Sequence, residues 1–366
     1  MKKNIHLVAG ARPNFIKIAP LYHALKREDW ADVKIIHTGQ HYDYNMSKAF
    51  FDDLNLPEPV FHLNAGSGTH AEQTGQVMIS YETVLLKEQP NLVVVVGDVN
   101  STMAATIAAV KLGIRVAHLE AGLRSFDRSM PEEINRIVTD ALADILWTPS
   151  PDADKNLINE GISAEKIFRV GNIMIDSLEM LRGRIEEQET FKDYGLTAGE
   201  YGVITLHRPS NVDSHKALSM ICEALINISK ELSLIFPVHP RTMKFLKSNG
   251  LYNRIGKVSN LIVTEPLHYI PFMNLVFNAR MIVTDSGGLQ EETTYLGIPC
   301  LTLRPNTERP ITIDEGTNRL CSEDDLETAV REILDGKIGE GQIPEFWDGQ
   351  TTGRVVQALI RYFVPN

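Results

Sequence analysis

Short apolar runs alternate with amphipathic stretches from one end of the chain to the other. Leu92 to Val96 is five apolar residues in a row, four of them valine. Such a run reads as a parallel strand covered on both faces. Asn4 to Ala9, Val33 to Thr38, Val116 to Leu119 and Ile145 to Thr148 have the same character. Between them, Asn14 to Lys26, Met46 to Leu54 and His70 to Glu88 read as helices, and Asp152 to Gly161 follows as another. From Tyr201 the alternation begins again, with strands at Tyr201 to Leu206, Leu234 to Val238, Leu261 to Thr264, Met281 to Thr284 and Pro299 to Leu303. Leu178 to Leu196 is charged and reads as a solvated helix. Gly353 to Tyr362 reads as a closing helix, long enough to cross back onto the first half. The pattern predicts the α/β class, with two Rossmann-like, doubly wound parallel sheets in succession. The expected domains are 1–170, joined by the closing helix 353–366, and 171–352, facing each other across a cleft that would take a small molecule.

Composition narrows the partners. A chain of 366 residues suits two domains of ordinary size. Its net charge of −11 opposes nucleic acid and anionic membranes. Cys222, Cys300 and Cys321 are scattered, and no Cys-x-x-Cys occurs, which argues against disulfides and thiolate metal sites and for a reducing compartment. Met1-Lys2-Lys3 runs straight into a strand with no signal-peptide pattern, and no apolar run is long enough to span a membrane. A cytoplasmic protein is expected.

The candidate chemistry sits where strands end. Ser286-Gly287-Gly288 follows the apolar run ending at Thr284 and opens a helix over Leu289 to Leu296. Glycines let a ligand approach the backbone, and the free N–H groups of a helix start attract a phosphate. The same stretch also fits a plain strand-to-helix turn with Ser286 as cap. Glu292, one turn further, is placed to accept hydrogen bonds from ribose hydroxyls. At the first strand's end the Gly-x-Gly-x-x-Gly of a dinucleotide fold is absent. Arg12 and Lys17 stand there instead and suit a diphosphate, although Lys17 alone also fits a solvated helix face. Asp98 and Glu120 each stand at the carboxyl end of a buried strand, where open α/β sheets bind ligands; a helix cap is the other reading of Asp98. Glu132 and Glu133 follow Pro131 in a first turn, where acids also serve the helix dipole. His118-Leu119-Glu120 resembles the His-x-Glu of zinc deaminases, but its Pro-Cys-x-x-Cys is missing, so no metal is expected. His41 fits a ligand contact or a surface loop, and Tyr269-Ile270-Pro271-Phe272 fits a base-stacking turn or a core-facing one. Asp98, Glu120, Glu132 and His207 are expected to converge on the cleft, with Arg12, Lys17, Arg208, Arg309 and the Ser286-Gly287-Gly288 turn holding a diphosphate. No nicotinamide, flavin or metal motif is present, so no cofactor is expected. Elimination beside a leaving diphosphate needs only a base, an acid and a stabilised leaving group.

Several ordered motifs together resemble the non-hydrolysing UDP-N-acetylglucosamine 2-epimerases over nearly the full length. They are Gly10-Ala11-Arg12-Pro13-Asn14-Phe15-Ile16-Lys17, Gly97-Asp98, His118 to Arg124, Pro131 to Arg136, His207-Arg208, Pro237 to Pro240, Thr284 to Glu292 and Thr307 to Pro310. The resemblance implies the two-domain fold of the GT-B glycosyltransferases, a UDP-sugar substrate, a homodimer, and anti elimination of UDP to a 2-acetamidoglucal followed by re-addition with C2 inverted. It puts Asp98, Glu120, Glu132 and His207 on catalytic positions, and which carboxylate takes the C2 proton stays open. It puts Arg12, Lys17, Arg136, His239, Phe272, Ser286, Gly287, Gly288, Glu292 and Arg309 on substrate-binding positions. Two departures point to the branch acting on UDP-2,3-diacetamido-glucuronic acid. Gly-Ala-Arg-Pro-Asn stands where plain epimerases often carry Gly-Thr-Arg-Pro-Glu, and Gly-Gln-His-Tyr-Asp stands for Ala-Gln-His-Arg. The second departure also bears on the regulatory UDP-N-acetylglucosamine site that some bacterial members build near the positions of Gln40 and His41.

Overall fold

The computed structural model describes residues 2–39, 51–337 and 341–364, with Arg12 described by its backbone alone. The chain divides into two compact units, Met1–Met180 with Glu345–Asn366, and Leu181–Pro344. The division thus falls after Met180 and after Pro344, not at the sequence boundaries of 170 and 352.

The first unit holds seven strands among the described residues, in the order β3-β2-β1-β4-β5-β6-β7. They are β1 (Lys3–Ala9), β2 (Ala31–His37), β3 (Phe61–His62), β4 (Leu92–Val96), β5 (Val116–Leu119), β6 (Ile145–Thr148) and β7 (Ile167–Arg169). All pairings are parallel, with Ile5 beside Val33 on one side and beside Leu92 on the other. Parallel neighbours need crossover connections, and these are the helices. Helix Asn100–Lys111 presents Ala104, Ala105, Ala108 and Ala109 to the core, small residues that fit closely against Val93 and Val95.

Helix Arg12–Leu25 contains Pro20, which has no N–H to give the Ile16 carbonyl. The Ser177 hydroxyl donates to that carbonyl instead, at 2.8 Å. The closing segment belongs to this unit. Trp347 Nε1 donates to the Pro149 carbonyl at 3.0 Å, and the Asp176 carboxylate accepts the N–H groups of Thr351 and Thr352 at the start of helix Thr351–Phe363. Burial holds the Asp176 carboxyl above its usual range, against those donors.

The second unit repeats the pattern with six strands among the described residues, in the order β10-β9-β8-β11-β12-β13. They are β8 (Tyr201–Thr205), β9 (Ser233–Pro237), β10 (Leu261–Thr264), β11 (Met281–Thr284), β12 (Cys300–Leu303) and β13 (Asn318–Cys321), again all parallel. Its core is built from residues such as Phe236, Leu225, Val283, Leu301 and Leu326. In each sheet the strand order reverses at one place, between β1 and β4 and between β8 and β11. The carboxyl ends of strands beside such a reversal are where a ligand enters.

Three sequence expectations change. Leu178 to Leu196 is not one solvated helix: helix Ile173–Glu186 ends, and a short helix Thr190–Asp193 follows. Leu178, Leu181 and Ile185 are buried on a stripe of helical spacing that the surrounding charges masked. Helix Gly287–Leu296 begins two residues earlier than expected. Strands β3, β7 and β13 are short or half-polar and were not anticipated. The helix expected over Met46 to Leu54 falls largely outside the described residues, of which 51–53 are helical.

Candidate active site

Each unit carries one cluster of candidate residues at its strand reversal. In the first unit, β4 ends at Val96 and Gly97 turns with φ +68°. A Cβ there would lie 3.4 to 3.5 Å from Asn14 Nδ2, Lys17 Nζ and Glu120 Oε2, so the bare glycine lets these groups crowd its backbone. Lys17, one turn into helix Arg12–Leu25, is buried and donates to Glu120 Oε2 at 2.5 Å. It is no solvated lysine. Glu120 Oε1 is buried with no hydrogen-bond partner among the described residues. Glu120 also has φ +71°, a left-handed conformation that costs a non-glycine residue on the order of 1–3 kcal/mol.

Asp98 follows Gly97. It does not cap the next helix, whose N-cap is Val99. Its Oδ2 accepts from Arg136 Nη1 at 2.5 Å, and its carbonyl accepts from Asn135 Nδ2 at 2.9 Å. Arg136 is itself buried and donates through Nε and Nη2 to Glu133 Oε2. Glu133 is more than a first-turn acid: its carboxylate accepts the Ser125 and Phe126 N–H groups and the Ser125 hydroxyl. Burial pushes its carboxyl up, but these donors and Arg136 hold it below the usual range. Glu132, on the same turn, is half-buried, and no described residue bonds its carboxylate. Two carboxylates are thus each gripped on one oxygen by a buried cation.

Asn14, at one sequence departure, is spent locally. Its Oδ1 accepts the Gly10 and Ala11 N–H groups and its Nδ2 donates to the Val96 carbonyl. Its bond from the Ala11 N–H is the half of a capping box that the third helical residue supplies, a task glutamate also performs at that place. The side chain of Arg12 and the residues Gln40 and His41 lie outside the described residues.

In the second unit, the loops after β8 and β11 are tied by Asp285. This buried carboxylate accepts the His207 and Arg208 N–H groups, an Asn211 Nδ2 hydrogen, and His207 Nδ1 at 2.8 Å. Burial raises its carboxyl, but His207 and the backbone donors outweigh that and hold it low. With Nδ1 on the carboxylate, the Nε2 edge of a half-exposed His207 is left for a ligand. The His239 ring is 5.8 Å away, and its Nδ1 accepts the Arg241 N–H at the start of helix Pro240–Ser248. Arg208 Nε donates to the Asp285 carbonyl at 3.0 Å.

Ser286 stands at the N-cap of helix Gly287–Leu296, but its side chain makes no capping bond. The N–H groups at Gly288 and Leu289, which a capping side chain would engage, therefore lack that internal acceptor. A Cβ on Gly287 would lie 2.8 Å from Arg309 Nη1 and from Glu308 Oε1. Arg309 is buried between Glu291, at 2.8 Å, and Glu308. Glu308 also holds Arg304, at 2.7 Å. Arg309 backs the turn as part of an ion cluster. Tyr269 donates to Glu292 Oε1 at 2.6 Å, which fixes that carboxylate one turn into the helix. Burial, then the Glu292 charge, push the Tyr269 hydroxyl well above its usual range. Phe272 lies half-buried in the first turn of helix Tyr269–Phe277.

Sequence reasoning missed Asp285 as an orienting group, and it missed Tyr269 as the partner of Glu292. The signal for Asp285 was its position, the first residue past a buried strand; its partner lies 78 positions away.

Comparison with known proteins bears on this geometry. A family model described as UDP-N-acetylglucosamine 2-epimerase matches residues 23–360. A curated UDP-N-acetylglucosamine 2-epimerase of Methanocaldococcus jannaschii is 44% identical over 362 residues, covering 97% of this chain and 98% of that protein. A curated UDP-2,3-diacetamido-2,3-dideoxy-D-glucuronate 2-epimerase of Pseudomonas aeruginosa is 38% identical over 361 residues, covering 97% and 98%. The solved structure of the M. jannaschii UDP-GlcNAc 2-epimerase in complex with UDP-GlcNAc and UDP matches with a TM-score of 0.88 at 44% identity, covering 97% of this chain and 99% of that one. The two parallel-sheet units are of the GT-B type. No helix among the described residues is long and apolar enough to cross a membrane.

Proposed function

The chain belongs to the UDP-N-acetylglucosamine 2-epimerase family, and on that premise we propose that it interconverts UDP-N-acetylglucosamine and UDP-N-acetylmannosamine. The observation that carries the reading is Glu120: a buried carboxylate with one oxygen on Lys17 and the other without a partner among the described residues. Glu120 Oε1 takes the C2 proton. The C1–O bond to the diphosphate breaks, UDP leaves with the electron pair, and C1=C2 forms in a 2-acetamidoglucal. Asp98, held by Arg136 and carrying a proton taken up from water, gives that proton to the opposite face of C2, UDP re-adds at C1, and Glu120 releases its proton to water. His207, oriented by Asp285, gives a hydrogen to the departing phosphate oxygen and takes it back on re-addition. Glu132, with no described partner, completes the acid set.

The second unit's groups hold the nucleotide. The helix start at Ser286, Gly287 and Gly288 takes a phosphate, Glu292 the ribose, and Phe272 the uracil. Arg309 braces the turn, Arg12 and Lys17 add positive charge, and Arg136 and His239 contact the substrate. A cytoplasmic homodimer is part of the same reading. Ile79 and Leu86, exposed on helix His70–Glu88, suit a subunit contact, and light scattering checks it.

Incubation with UDP-N-acetylglucosamine alone in deuterium oxide tests the reaction. Proton NMR is expected to show deuterium at C2, UDP-N-acetylmannosamine formed and the nucleotide sugar retained. Stoichiometric free UDP with N-acetylmannosamine would make the enzyme a hydrolysing one, and absence of C2 exchange would overturn the proposal. A second reading, epimerisation of UDP-2,3-diacetamido-glucuronic acid, is favoured by the similarity to the Pseudomonas protein. Asn14 no longer supports it, because its side chain is used within the turn. The ratio of kcat/KM for the two sugars decides between them.

A further inference from the structure

His118 and Asp140 make no contact that the reaction above uses, yet they form a buried hydrogen-bonded pair against the backbone of the residues that do. His118 Nδ1 lies 2.6 Å from Asp140 Oδ1, and both side chains are fully buried. The other ring nitrogen, Nε2, lies 2.9 Å from the carbonyl oxygen of Gly97, the residue before Asp98. The other carboxylate oxygen, Asp140 Oδ2, accepts the N–H of Gly122, two residues after Glu120, at 3.0 Å. It also meets Arg124 Nη1 at 2.7 Å, and Arg124 in turn forks onto Glu160. One carboxylate is therefore tied to the backbone of both loops that carry the candidate acids, directly at Gly122 and through His118 at Gly97.

Those backbones need holding. Glu120 is left-handed, and so are the glycines on either side of the cluster, with Gly97 at φ +68° and Gly122 at φ +82°. Gly122 packs so closely that a Cβ would lie 2.4 Å from the Ala153 carbonyl oxygen. The helix supplying Asp140, Pro131–Leu142, also supplies Arg136 to Asp98 Oδ2 and Asn135 to the Asp98 carbonyl. Glu133, Arg136 and Asp140 recur at helical spacing on its buried face. A buried ion network is a poor source of stability, since apolar side chains of like volume usually do as well. What it supplies is fixed direction.

We propose that His118 and Asp140 are positioning residues that set the aim of Asp98 and Glu120 by fixing the Gly97 carbonyl and the Gly122 N–H. The inference rests on the epimerase reading above. Displacing a reacting group by about an ångström can cost on the order of 100-fold in rate without loss of binding.

The experiment uses two substitutions that divide the histidine. His118→Gln keeps a donor near the Nε2 position, for Gly97. His118→Asn keeps one near the Nδ1 position, for Asp140, and loses Gly97. Exchange at C2 is measured for both and for the unaltered protein, with KM for UDP-N-acetylglucosamine and the affinity for UDP. His118→Asn is expected to lose about 100-fold in kcat with KM and UDP affinity little changed, and His118→Gln to lose about ten-fold or less. Asp140→Asn carries the same kcat-against-KM test should either variant fail to fold. Folded His118→Asn with unaltered kcat, or folded Asp140→Asn with unaltered kcat if it must stand in, overturns the inference. Equal loss in His118→Gln and His118→Asn overturns it also. Absence of exchange in the unaltered protein instead strikes the epimerase reading itself.

Discussion

His207 Nδ1 and Asp285 Oδ1 are 2.8 Å apart, and the same carboxylate also accepts the His207 main-chain N–H. One buried acid thus fixes both the position of the imidazole and the ring nitrogen it turns outward. Asp285→Asn preserves volume but no longer favours a hydrogen on Nδ1. Its kcat for epimerisation should fall by about 100-fold, the low end of what a positioned acid or base contributes, while KM changes little. Steady-state kinetics check this, and an unchanged kcat would detach Asp285 from the reaction.

The pair Lys17–Glu120 gives a second prediction. Removing the cation in Lys17→Met leaves a buried carboxylate without its partner, which should cost about 3–5 kcal/mol of stability. Adding Glu120→Gln should restore much of that stability and none of the activity. Urea titration of the two single variants and the double variant measures the coupling directly. Additive losses of stability would mean the contact is not formed in solution.

A third prediction concerns the helix start at Gly287. The added methyl of Gly287→Ala meets Arg309 and Glu308, two groups locked in a buried ion cluster. The turn must shift, and UDP affinity should fall by about ten-fold, a loss of roughly 1.4 kcal/mol. Calorimetric titration with UDP reads it. Undiminished affinity would remove this turn from the nucleotide site.

Stability should fall in two stages as the solution is acidified. His6 and His37 are each depressed from 6.5 to about 4, chiefly by burial. The unfolded chain takes up their protons first, so the stability they confer is full above 6.5 and drains away between 6.5 and about 4. Glu133, Asp140 and Asp285 are held below their usual range despite burial, by Ser125 and Arg136, by His118 and Arg124, and by His207 respectively. Their contribution is present above the ordinary carboxylate range and is lost as pH drops through the lower folded values. Urea midpoints should therefore begin to decline near 6.5, above the ordinary carboxylate range. His6→Asn, which keeps a polar group near the Nδ1 position that meets the Tyr81 hydroxyl, should flatten the upper stage. A midpoint constant down to the carboxylate range would refute the histidine part.

The strands were legible where burial on both faces forced apolar runs. Leu92–Val96, Val116–Leu119, Ile145–Thr148 and Met281–Thr284 fall where the pattern puts them. Phe61–His62 is too short to show a pattern, and Asn318–Cys321 mixes exposed and buried positions. In the clusters, Asp98, Glu120 and His207 stood out because each ends a strand. What holds them did not. Asp140 looks like any helix acid until the topology brings His118 against it, and Asp285 meets His207 only because β8 and β11 are neighbours. Local sequence shows which groups stand at the mouth of a sheet, and long-range pairing decides which of their atoms are free.

The first unit is discontinuous, since the segment bearing Trp347 and helix Thr351–Phe363 returns to it after the whole of 181–344. During synthesis the ribosome releases the second unit complete while the first still lacks Thr351 and Thr352 for Asp176. Domains tend to fold as they emerge. The carboxylate cluster should therefore mature last, and a stalled nascent chain lacking residues 345–364 should bind UDP before it can exchange a proton.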